Sequence, residues 1–86
     1  MMLKDRLEVP VPIRWKGSPR NVCEVAEAAR LLVDPGWPVR GRRHGLACKA
    51  LVEWSERPTE HRLREVQSAF RDAAAEAGIL IGASIH

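Results

Sequence analysis

The chain has no tyrosine and only one phenylalanine, so Trp15, Trp37, Trp54 and Phe70 are its only aromatic side chains apart from histidine. The bulky side chains of any core have to be drawn from these four together with leucine, isoleucine and valine. Cysteine is nearly as scarce. Cys23 and Cys48 can form at most one bridge, which excludes a disulfide framework as the stabilising device. No apolar run approaches the roughly 18 residues that span a bilayer, and the opening Met1 to Glu8 has no signal-peptide apolar centre. The expected location is therefore the cytoplasm, with reduced thiols and no membrane partner. Charge of one sign is also lacking. Fourteen Lys plus Arg against eleven Asp plus Glu leave a net +3, a weak bias toward anionic partners and well below that of a dedicated nucleic-acid binder. There is no Cys-x-x-Cys or His-Glu-x-x-His, no nucleophile and base in recognisable register, no internal repeat and no low-complexity segment. No cofactor and no metal is expected, and an enzyme is not the expected class.

What is present is 86 residues, 45% hydrophobic, enough for one domain burying somewhat over ~60% of its unfolded surface. The expected organisation is a flexible N-terminus over 1–8, a single α+β domain over 9–81 and a C-terminal tail over 82–86. Val9, Val11, Ile13 and Trp15 alternate with Pro10, Pro12, Arg14 and Lys16, which places the apolar set on one face of a strand. The prolines cannot donate ladder hydrogen bonds, so the first half of this strand should lie at a sheet edge. Gly17-Ser18-Pro19 supplies turn chemistry, and Arg20 to Cys23 can return as a second strand. The period then changes: Val25, Ala28, Ala29 and Leu32 predict a helix from about Glu24 to Val33, stopped by Asp34-Pro35-Gly36. A second helix should run from about Arg42 to Trp54, with Ala47, Ala50, Leu51 and Trp54 inward. Thr59 should cap a third, on which Leu63, Val66, Phe70, Ala73 and Ala77 recur in threes and fours until Gly78. Ile79 to Ile81 could return as a third strand. The order β-β-α-α-α-β describes an α+β fold in which a small antiparallel sheet is covered on one face by three helices.

This order of motifs resembles the small bacterial family known as domain of unknown function 982. The similarity is carried by the opening Val-Pro-Ile strand, by Val22-Cys23-Glu24-Val25-Ala26-Glu27-Ala28-Ala29-Arg30-Leu31-Leu32 and by Trp37-Pro38. His44 and Ala47 in the second helix continue it, and Ala69 to Ile79 closes it. It covers roughly Val9 to Ile81. The resemblance implies a fold, and because the family has no established activity it implies no catalytic residue.

The stretch Trp37 to Trp54 holds the densest chemistry. Arg40, Arg42, Arg43 and Lys49 with His44 form the one concentrated basic patch. Arg42 and Arg43 fall where a helix start offers free N–H groups to an anion. Trp37, in a loop between glycine and proline, is the tryptophan expected to be partly exposed, and such tryptophans are enriched at contact hot spots. His44 and Cys48, four apart, can face one way, but two ligands are too few for a metal unless Cys23, His61 or His86 converge on them. Cys23 sits where a helix N-terminus can lower a thiol pKa, although a small buried hydrophobe is the simpler role. These features point to a non-enzymatic protein-interaction module, self-association in a homodimer included, with the site at Trp37, Arg40, Arg42, Arg43 and His44. The alternative is a weak nucleic-acid or phosphate binder through the Arg40 to Arg43 patch.

Overall fold

The computed structural model describes residues 5–82. Its elements are strands β1 (Arg6–Trp15) and β2 (Ser18–Glu24) and helices α1 (Val25–Val33), α2 (Arg42–Glu56) and α3 (Glu60–Glu76). This is the expected small α+β fold. Residues 1–4 and 83–86, which include His86 and most of the expected tail, lie outside the described residues.

The two strands form an antiparallel hairpin closed by the pair Trp15 and Ser18, so the turn is Lys16-Gly17 and starts earlier than the expected Gly17-Ser18-Pro19. Lys16 and Gly17 both have positive φ, 51° and 84°. That combination matches the twist of flanking strands, and it strains lysine but not glycine. Toward the other end the pairing is irregular. Five steps along β1, from Arg6 to Val11, face two along β2, from Glu24 to Val22. The extra residues interrupt the alternation. The strand begins at Arg6, three residues before the expected Val9; Leu7 is buried and Val9 is 55% exposed, and beyond the bulge the inward face consists of Val11 and Ile13, with Trp15 half-buried. The bulged backbone finds its acceptor on α3: the amides of Glu8 and Val9 donate to Gln67 Oε1 at 2.9 and 3.3 Å.

The expected third strand shrinks to one bridge, Leu80 against Ile13. Arg14 N donates to the Ile79 carbonyl and Ile81 N to the Pro12 carbonyl. On this side of β1 Pro12 has no N–H to donate back, so it meets Ile81 through its carbonyl alone. Gly78 and Gly82, both at φ 77°, bracket the bridged segment with left-handed residues.

α3 crosses β1, α2 packs along α3, and α1 packs against β2 and α2. α3 is the best-terminated helix. Thr59 Oγ1 accepts from Arg62 N at 3.1 Å, and at the other end Ile79 N donates to Ala74 O and Gly78 N to Ala75 O. The last two bonds satisfy carbonyls that the end of a helix leaves free, and they need the left-handed Gly78. Leu63, Val66, Phe70, Ala73 and Ala74 face inward from it, meeting Val11, Ile13 and Val22 of the sheet, Val25, Ala28, Leu31 and Leu32 of α1, and Ala47 and Ala50 of α2 in one core. The alanines on α2 and α3 let those two helices approach closely.

Candidate functional site

The loop between α1 and α2 is folded by its own sequence. Asp34 Oδ1 accepts from Gly36 N at 2.7 Å, the local turn that aspartate favours, and Trp37 N donates to the Asp34 carbonyl. The turn drives Trp37 inward. It is 3% exposed, with ring centroids 6.1 Å from Trp15, 6.0 Å from His44 and 5.8 Å from Phe70. The expected partly exposed tryptophan is thus a core residue that fills the space where β1, the loop, α2 and α3 meet. In a chain with so few aromatic side chains, burial of this one outweighs any surface role.

Two of the other expected site residues hold the C-terminus of α1. Arg40 donates from Nη2 to the Asp34 carbonyl at 2.6 Å and from Nη1 to the Leu32 carbonyl at 3.4 Å. His44 Nε2 lies 2.7 Å from the same Leu32 oxygen. A carbonyl can only accept, so Nε2 carries the proton. In the neutral ring Nδ1 is then the acceptor, 3.9 Å from Cys48 Sγ. Carbonyls that a helix end would leave unpaired are thereby satisfied from the following loop and the first turn of α2.

The start of α2 is occupied as well. It has no side-chain cap of its own and no acidic residue in its first turn. The Glu76 carboxylate, from the end of α3, accepts from Arg43 N at 3.2 Å and His44 N at 3.4 Å. Gly41 makes room for it, since a Cβ there would stand 2.7 Å from Glu76 Oε2. The free N–H groups expected to meet an external anion therefore already meet an internal one. The Arg43 guanidinium lies 3.8 Å from Asp72 with both side chains about half exposed, and Arg42 points to solvent. Glu76 was not legible as a cap because it lies more than thirty residues from the amides it serves.

The structure thus brings Trp37, Arg40 and His44 together as a joint between α1, α2 and the core, and leaves Arg42 and Arg43 on the surface. Cys23 is half-buried at the end of β2, where its amide donates to Glu27 Oε1 at 3.4 Å. Among the described residues no group of three His, Cys, Asp or Glu side chains converges as a metal site, and no helix is long and apolar enough to cross a membrane.

A second surface has the character expected of Trp37. Between α1 and α2 runs an open groove of about 430 Å³ lined by Val25, Ala26, Ala29, Leu51, Val52, Trp54 and Ser55, with Asp5 the one charged residue among the described residues that line it. Val52 is 56% exposed at its rim. Ala29, expected in the core, forms part of the wall because α1 turns this side away from the sheet. Trp54 is half-buried there, its indole Nε1 covered and without a hydrogen-bond partner among the described residues.

No protein-family model, curated protein or solved structure matches this chain.

Proposed function

We propose that this chain is a non-enzymatic interaction domain that takes an amphipathic helix of a partner protein into the groove between α1 and α2. The observation that carries the reading is the chemistry of that groove: among the described residues six apolar side chains and one charged residue line it, in a chain of which 29% is charged. Two helices bordering an open apolar channel fit the helix-in-groove mode, in which apolar residues at i, i+3 or i+4 and i+7 supply the contact. The resemblance to the domain of unknown function 982 family belongs to the same proposal and adds no residue roles. The phosphate-binding alternative is weaker at the start of α2, where an anion has to displace Glu76 from the Arg43 and His44 amides.

Affinity capture from the native cell lysate with the wild type, Val52→Glu and Arg43→Glu tests the reading. A protein held by the wild type and by Arg43→Glu, lost with Val52→Glu and retained when salt rises from about 50 to about 500 mM, is the expected result. Nucleic acid that leaves steeply with salt and with Arg43→Glu would establish the phosphate reading instead.

A further inference from the structure

On the other side of α2, a groove of about 340 Å³ runs between α2 and α3. Its floor is Ala50 and Ala69, and Leu46 stands beside it 43% exposed. Arg43 and Lys49 on the α2 wall face Asp72 and Glu65 on the α3 wall, and Glu53 of α2 lies 3.5 Å from Arg62 of α3. The Arg43 to Asp72 and Glu53 to Arg62 contacts mark the register of the antiparallel helix pair. That register places Leu46 level with Ala69, and Lys49 within reach of the position of Glu65.

A groove whose charges oppose across its own long axis is complementary to a second copy of itself. A two-fold axis lying along the groove exchanges its walls without shifting them lengthwise. Each α2 then covers the α3 of the other copy. Arg43 meets the partner's Asp72, Lys49 meets the partner's Glu65, and Glu53 meets the partner's Arg62. Each exposed Leu46 covers the partner's Ala69, closing the apolar floor twice. Lys49 makes no ion pair among the described residues, which leaves its ammonium for this contact.

We propose that the chain forms an isologous homodimer through this α2 and α3 face, with Lys49 and Glu65 as its reciprocal charge pair. It goes beyond the interaction reading, because it uses a surface other than the α1 and α2 groove and a different partner, a second copy of the chain. The exposed edge of β2 suits self-association less well, since Pro19 has no N–H and the Cys23 amide is taken by Glu27. One leucine per subunit makes a small interface, so association is weak. The ion pairs set register more than affinity.

Sedimentation equilibrium of the full chain, up to about 0.5 mM because small interfaces give weak dimers, reads the mass. The wild type should approach twice the chain's 9.6 kDa. Lys49→Glu and Glu65→Lys, both at exposed positions, should each weaken association by at least about tenfold through like-charge contact. An equimolar mixture of the two variants should associate again, because every Lys49 to Glu65 contact in the mixed dimer is attractive. A wild type that stays at 9.6 kDa, single variants that dimerise as well as the wild type, or a mixture that fails to recover would each overturn the proposal. None of these outcomes bears on capture through Val52, so the two readings fail separately.

Discussion

The rings of Trp37 and Phe70 lie 5.8 Å apart at 53°, joining the loop before α2 to the middle of α3. Both side chains are buried, Phe70 completely. A tilted aromatic pair at this spacing contributes about 0.5–1.5 kcal/mol beyond the area it buries. The pair therefore determines whether the α1 to α2 loop is part of the core.

Phe70→Ala should cost about 3–5 kcal/mol, from lost burial and from the cavity left beside Trp37. In a domain of this size that is a large share of total stability. Urea unfolding followed by tryptophan fluorescence measures it, and a loss under about 1 kcal/mol would show that the ring is not part of the core.

Gln67→Ala should release the bulged part of β1. Glu8 N and Val9 N lose their acceptor, and hydrogen exchange at these two amides should accelerate while that of Val22 and Val11, in the regular ladder, stays slow. Equal acceleration across both strands would show that Gln67 supports the sheet as a whole.

Lys16→Asn sets two effects against each other. Relief of a left-handed lysine in a turn that favours asparagine followed by glycine is worth about 1 kcal/mol. Against it stands the contact of Lys16 Nζ with the Trp15 ring, 5.8 Å from its centroid, worth about 0.5 kcal/mol at an exposed site. Backbone relief is the larger, so thermal unfolding should move upward. An unchanged or lower midpoint would mean the cation contact is the stronger.

Glu76→Gln keeps an acceptor at the start of α2 but removes its charge, and Glu76→Ala removes both. The expected losses are a few tenths of a kcal/mol for glutamine and about 1 kcal/mol for alanine, with exchange at the Arg43 and His44 amides rising in that order. Inorganic phosphate titrated into Glu76→Ala and followed at these amides then asks whether the emptied helix start takes an anion. Binding there, absent in the wild type, would show Glu76 to be what excludes it.

Local pattern determined the helices of this protein and the existence of the hairpin, though not its turn residues. Threes and fours of apolar residues, a threonine cap and a terminal glycine act within a few residues of one another, and the bonds they imply formed where expected on α3. The face of β1 from Val11 onward follows from alternation in the same way, whereas the bulge before it depends on Gln67, 58 and 59 residues away along the chain. The candidate site followed tertiary structure throughout. Trp37 looked exposed because its neighbours are turn residues, yet the space it fills exists only once α3 has brought Phe70 beneath the loop. Arg40 and His44 read as members of an open basic patch until the end of α1 supplied carbonyls for them, and the start of α2 read as an anion site until Glu76 arrived from the far end of α3. Burial and charge pairing depend on which distant groups share a space, and in this chain that is set by the packing of α2 on α3.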